Sequence, residues 1–175
     1  SLASAQFSSL GDLTFSGASG QFPTGLTGGI NDSSTWHLWT FNANAGDVIN
    51  VAVSRVGPSL DPMSATFVGN LDGQAYSVGV PLWDTATLAA QLGLPLAGSG
   101  DDDVDDSYGG PWGDPNYSFV ASATGTYSIL VGSYASLTTG EQRYDITVTG
   151  STWVPAPGAM AVLGLGGLIA SRRRR

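Results

Sequence analysis

Apolar and polar residues alternate with a period of two along most of the chain. Ile49, Val51 and Val53 alternate with Asn50, Ala52 and Ser54, which predicts a strand with one buried face. It follows the aromatic run Trp36 to Phe41 (WHLWTF) across Asn44-Ala45-Gly46-Asp47, a turn by composition, so the two runs read as a hairpin. Met63, Ala65 and Phe67 alternate with Ser64 and Thr66 up to a turn at Leu71-Asp72-Gly73, and a fourth strand is expected at residues 74–78. Strict alternation returns in Tyr117/Phe119/Ala121, Tyr127/Ile129/Val131 and Tyr144/Ile146/Val148, separated by turns at Ala123-Thr124-Gly125 and Thr138-Thr139-Gly140.

Other stretches break this rhythm. Residues 7–15 alternate weakly, and residues 16–31 are rich in Gly, Ser and Thr, the composition of a long loop or a frayed sheet edge. Between Gly79 and Gly100 the spacing of Leu88 and Leu92 predicts one short helix over Thr85–Leu92, with Asp84 as its cap and Gly93 as its stop. Residues 101–116 read as a loop. About seven short strands with turn signals at this spacing predict an all-β fold, an antiparallel jelly-roll-like β-sandwich with one inserted helix and a C-terminal hydrophobic helix.

Composition supports that class and narrows the function. The 175 residues suffice for one domain and a tail, and 25 Gly with 11% charged residues favour turn-rich β structure. Four of the six basic residues are Arg172 to Arg175, so the rest of the chain sets Arg55 and Arg143 against 14 acids. Such a body repels nucleic acid. There is no cysteine, hence no disulfide and no thiolate chemistry. Ala3-Ser4-Ala5 has the small-x-small form that ends a secretory signal peptide, so residues 1–5 are read as its remnant and residues 6–150 as the sandwich.

The candidate chemistry is acidic. Asp101, Asp102, Asp103, Asp105, Asp106 and Asp114 crowd a Gly-flanked loop, and Ca²⁺, which accepts six to eight oxygens in flexible geometry, suits such a cluster. The alternative is a solvated acidic loop. It is not an EF-hand, because its sixth position is Asp106 and its twelfth Trp112. His37, the single histidine, lies among aromatics and reads as a packing residue, and no Gly-x-Ser-x-Gly elbow offers it a nucleophile. The chain is therefore expected to be no enzyme; a secreted hydrolase is the third reading, since glycoside hydrolysis needs only two acids and nothing singles out two of the fourteen. Tyr108 and Trp112 form the best pair for stacking on a sugar ring, which makes a carbohydrate-binding module the second functional reading.

The order of WHLWTFNANAGDVINVAV, Leu60-Asp61-Pro62, Asp72-Gly73, the Asp cluster, NYSFVASATGTYSILVGSY and RYDITVTG resembles the bacterial pre-peptidase C-terminal domain. The resemblance implies a small non-catalytic sandwich that accompanies secreted hydrolases, some members of which bind calcium. The stretch from Gly79 to Gly100 departs from that family's spacing.

Residues 151–175 form a tail of different composition. Val154, Pro155, Ala156, Pro157 and Gly158 precede an apolar run that ends in Arg172, Arg173, Arg174 and Arg175. As a helix, residues 154–171 would span about 27 Å against a hydrocarbon core of roughly 30 Å, and the arginines would stay on the cytoplasmic side. The three parts resemble the PEP-CTERM sorting signal, with Ala156 where that family carries Glu. The resemblance implies export across the inner membrane of a Gram-negative bacterium, transient anchoring by the tail, processing by an exosortase and delivery to the cell surface or its exopolysaccharide.

Overall fold

The computed structural model describes residues 5–25, 35–76, 80–105, 112–134, 140 and 142–152. The strands, in chain order, are β1 (Ala5–Gln6), β2 (Ser9–Asp12), β3 (Gly17–Gln21), β4 (His37–Ala43), β5 (Val48–Arg55), β6 (Pro62–Val68) and β7 (Ala75–Tyr76). Helix α1 (Thr85–Leu92) follows, then β8 (Leu96–Gly100), β9 (Asn116–Val120), β10 (Gly125–Ser133) and β11 (Arg143–Ser151). They build a five-stranded sheet in the order β2-β4-β10-β6-β8 and a four-stranded sheet in the order β3-β11-β5-β9, while β1 and β7 pair separately.

The two large sheets pack face to face as a sandwich. Phe41, Tyr127, Ile129 and Val131 meet Ile49, Val51, Val53, Tyr144, Ile146 and Val148 between the sheets, the residues that alternation assigns to the interior. The turn at Gly46 holds because Gly46 adopts a φ of 92° and the Asp47 carboxylate accepts the Asn44 N–H at 2.8 Å. Even the interior hydroxyls are paired. Tyr117 Oη lies 3.0 Å from Ser64 Oγ and 2.7 Å from Thr66 Oγ1, which joins the sheets through their core, and burial pushes that phenol up to about 12.

A second core covers the outer face of the five-stranded sheet. Leu38, Met63, Ala65, Phe67 and Leu130 pack beneath Phe7, Leu71, Leu82 and Leu88 of the crossing segments, so β6 is buried on both faces. Helix α1 matches its sequence signals: Asp84 accepts the Thr87 N–H at 3.3 Å, and Gly93 ends the helix at a φ of 66°. The helix contributes Leu88 to this cover.

Three expectations need correction. The sandwich is not wholly antiparallel, because β2 runs parallel to β4. Of the two readings of residues 16–31, the described part takes the sheet edge: β3 is an edge strand paired with β11. The insertion carries a strand, β8, besides its helix, and the segment 101–116 contains a bridge between Val104 and Asp114. The expected strand at 74–78 is the two-residue β7, with Ser77 and Val78 outside the described residues. The proposed leader remnant lies outside them too, except Ala5, which opens β1, and so do the C-terminal hydrophobic helix and sorting motif. Among the described residues no helix is long and apolar enough to cross a membrane.

The edge strand β3 is small-residued for a packing reason. Gly20 lies opposite Tyr144, and a Cβ at Gly20 would collide with the tyrosine ring. Replacing Gly20 by alanine is expected to destabilise the domain by about 1–3 kcal/mol in urea denaturation, because the buried ring has no room to move away.

Candidate metal centre

Sheet register gathers acidic residues at one end of the sandwich. Ser64 of β6 pairs with Gly100 of β8, and Pro62 pairs with Ser133 of β10. Asp61, just before β6, therefore meets Asp101 and Asp102, just after β8, and also Tyr134, just after β10. One carboxylate oxygen from each of Asp61, Asp101 and Asp102 lies within 4.8 Å of the others. With Trp112 and Tyr134 these three acids line an open cleft of about 320 Å³.

Asp61 is the anomalous member. It is only 3% exposed, yet its Oδ1 has no hydrogen-bond partner. Burial, followed by the charges of Asp101 and Asp102, pushes its carboxyl up to about 6 despite the opposing charge of Arg55. Asp101 is raised for the same reasons, burial first and then Asp102 and Asp103. Three carboxylates converging on one another are a cost to the fold unless a cation joins them.

Acids of the loop also hold its backbone. Asp102 Oδ1 accepts the Gly113 N–H at 2.7 Å and Asp103 Oδ2 the Asn116 N–H at 2.9 Å, so both pin the loop. Asp114 is buried against Arg55, Oδ1 to Nε 3.6 Å, and its carboxyl is raised by burial although Arg55 opposes the shift. Arg55 also donates to Leu60 O at 3.2 Å and to Trp112 O at 2.9 Å. Asp105 is exposed and not in the trio, and Asp106 lies outside the described residues, as does Tyr108. Of the sequence-based cluster, Asp101 and Asp102 fall in the converging trio, Asp103 bonds to the loop, Asp114 pairs with Arg55, and Asp61 is the trio's third member. Of the expected stacking pair, Trp112 is in the cleft, and the second ring there is Tyr134.

His37 takes the packing role. Its ring stacks on Phe22 with centroids 4.2 Å apart, and its Nδ1 lies 2.8 Å from Tyr144 Oη, which also receives Trp39 Nε1–H at 2.9 Å. With the indole donating, the phenol proton is left for Nδ1, an arrangement that suits neutral imidazole. Burial lowers the ring to about 4 from 6.5. Between those two values the unfolded chain binds a proton that the native ring refuses, so the His37 contribution destabilises the fold progressively as pH falls from about 6.5 to about 4. Denaturation of the wild type and of His37→Gln across this window is expected to show the wild type losing stability relative to the variant toward acid.

No protein-family model and no curated protein sequence matches the chain. Solved structures do share its fold. The surface-associated copper-binding protein CorA of Methylomicrobium album BG8 superposes with a TM-score of 0.54 at 12% identity, over 83% of this chain and 99% of that one. The secreted protein MopE of Methylococcus capsulatus, whose copper binding an oxidised tryptophan facilitates, gives 0.52 at 12% identity, over 80% and 87%. The pre-peptidase C-terminal domain of the Bacillus anthracis collagenase gives 0.41 at 14% identity, over 82% and 94%. At these identities CorA and MopE establish the class of fold, a β-sandwich that also occurs in secreted and surface-associated proteins, and nothing about this chain's ligand.

Proposed function

We propose that this chain is an exported, non-catalytic β-sandwich module of the bacterial surface or extracellular matrix, and that a calcium ion held by Asp61, Asp101 and Asp102 completes its fold. The observation that carries the reading is Asp61 Oδ1, buried and without a hydrogen-bond partner beside two further carboxylates. One oxygen from each acid lies within 4.8 Å of the others, close enough for a single ion bound at about 2.4 Å to touch all three. An all-oxygen donor set suits Ca²⁺ and disfavours copper, which prefers imidazole or sulfur, so the metal of the two similar structures is not carried over. The non-catalytic reading is supported by His37, which packs on Phe22 and bonds to Tyr144.

Export rests on the tail. Its Val-Pro-Ala-Pro-Gly motif, apolar run and Arg172 to Arg175 are the parts by which an exosortase system would hold, cut and release the protein. The pre-peptidase-like order of the body fits an accessory module delivered by that route.

Calorimetric titration of the full chain with CaCl₂ at pH 7 tests the metal. A saturable 1:1 isotherm is expected, with a melting temperature several degrees higher in millimolar Ca²⁺ than in EDTA, since an ion at 100 times its Kd adds about 2.7 kcal/mol. A melting temperature indifferent to both would sink the calcium reading. Deleting Arg172 to Arg175 tests the tail: normal processing and retention of the truncated protein would overturn the sorting reading.

A further inference from the structure

We propose that the acidic cleft is a calcium-dependent glycan site, in which the bound ion takes vicinal sugar hydroxyls or a uronate carboxylate while Trp112 and Tyr134 stack on the ring. The proposal rests on the calcium reading above and extends it to a ligand.

Three carboxylates leave room on the ion for water or a ligand's oxygens. Ca²⁺ takes six to eight oxygens, and three carboxylates provide three when each binds through one oxygen and six at most. Asp61 is buried and Asp102 exposed, so an ion held by the three acids would be reached from the cleft. Sugar hydroxyls on adjacent carbons and carboxylates are oxygen donors of the right hardness for that ion.

The rest of the cleft wall is aromatic. Trp112 is 43% and Tyr134 57% exposed, two large rings left in water on one small cleft. Both are tied through their backbones to the residues that build the acidic site. Tyr134 N–H donates to Asp61 O at 2.7 Å, and Trp112 O accepts from Arg55 Nη2 at 2.9 Å. The backbones that carry the rings are thus held beside the carboxylates. A cationic ligand such as a lysine side chain would also meet carboxylates and rings here. The three acids favour the metal, because one oxygen from each falls within the span of a single ion.

Charge makes the binding conditional. With 14 acids against Arg55 and Arg143 in the body, an acidic polysaccharide is repelled everywhere except at the metal. Removing the ion should therefore abolish uronate binding altogether.

The test uses the full chain in 2 mM Ca²⁺ or EDTA on an array of neutral and uronic oligosaccharides, followed by calorimetry with an oligogalacturonate and an oligomannoside. Saturable binding in Ca²⁺ that vanishes in EDTA is expected, as is a loss of about tenfold in sugar affinity in Trp112→Ala and in Tyr134→Ala, with Ca²⁺ affinity kept in both variants. Calcium binding with no glycan bound anywhere on the array overturns this inference and leaves the calcium reading standing. Failure to bind calcium overturns both. Glycan binding equally strong in EDTA overturns the role of the metal in recognition, and sugar affinity unchanged in both aromatic variants overturns the stacking.

Discussion

Replacing Arg55 by methionine is expected to cost about 3–5 kcal/mol in urea denaturation, the largest effect of any single substitution considered. Arg55 is 4% exposed and lies 3.6 Å from the equally buried Asp114. Methionine fills much of the volume but leaves the Asp114 carboxylate buried with Asp102 as its charged neighbour, and Leu60 O and Trp112 O lose a donor. The loss has two parts that a double variant separates. Arg55→Met combined with Asp114→Leu removes both charges, and a buried ion pair replaced by apolar side chains is often neutral. Most of the loss should then be recovered, leaving about 1–2 kcal/mol for the two carbonyls. A double variant as unstable as the single one would mean that Arg55 acts through its backbone-directed hydrogen bonds and not through Asp114.

Arg55 and Asp114 also show where sequence reading reached its limit. The sandwich interior was legible because Val51, Ile129 and Ile146 alternate with polar residues, and α1 because Asp84 and Gly93 bracket an apolar spacing of four. Strands β3 and β8 were not, since GASGQ and LAGSG contain no β-branched residue. Their smallness answers aromatic rings on neighbouring strands: Gly20 lies under Tyr144, and a Cβ at Gly98 would come within 2.9 Å of the Tyr117 ring. That complementarity joins residues far apart in the chain, and no local window contains it. The acidic site failed to be fully legible for a related reason. Counting acids along the loop gave equal weight to Asp101, Asp102, Asp103, Asp105, Asp106 and Asp114. The pairing of β6 with β8 brings in Asp61 from 40 residues away, and Arg55 takes Asp114 for itself. Asp61 stood in the sequence only as part of Leu60-Asp61-Pro62, a family-like fragment without assigned chemistry.

The converse experiment removes the carboxylate that the site cannot satisfy alone. In EDTA at pH 7, Asp61→Asn is expected to be more stable than the wild type, which is unusual for a substitution at a residue only 3% exposed. The folded carboxyl is raised from 3.8 to about 6, so its contribution favours folding below about 3.8 and is lost as pH rises through about 6. At pH 7 the wild type carries the whole penalty. About two pH units correspond to about 3 kcal/mol, which screening through the open side of the cleft reduces to about 1–2 kcal/mol. The variant's advantage should therefore shrink as the pH is lowered toward 4. In Ca²⁺ the order reverses. The proposed ion would stabilise the wild type by neutralising Asp61, Asp101 and Asp102 together, whereas an amide offers only a neutral oxygen, and calcium affinity is expected to fall about tenfold or more. The two stability curves thus cross as calcium is added. If Asp61→Asn were instead the less stable protein in EDTA and still bound Ca²⁺ as the wild type does, Asp61 would be a structural acid and the metal, if any, would lie elsewhere.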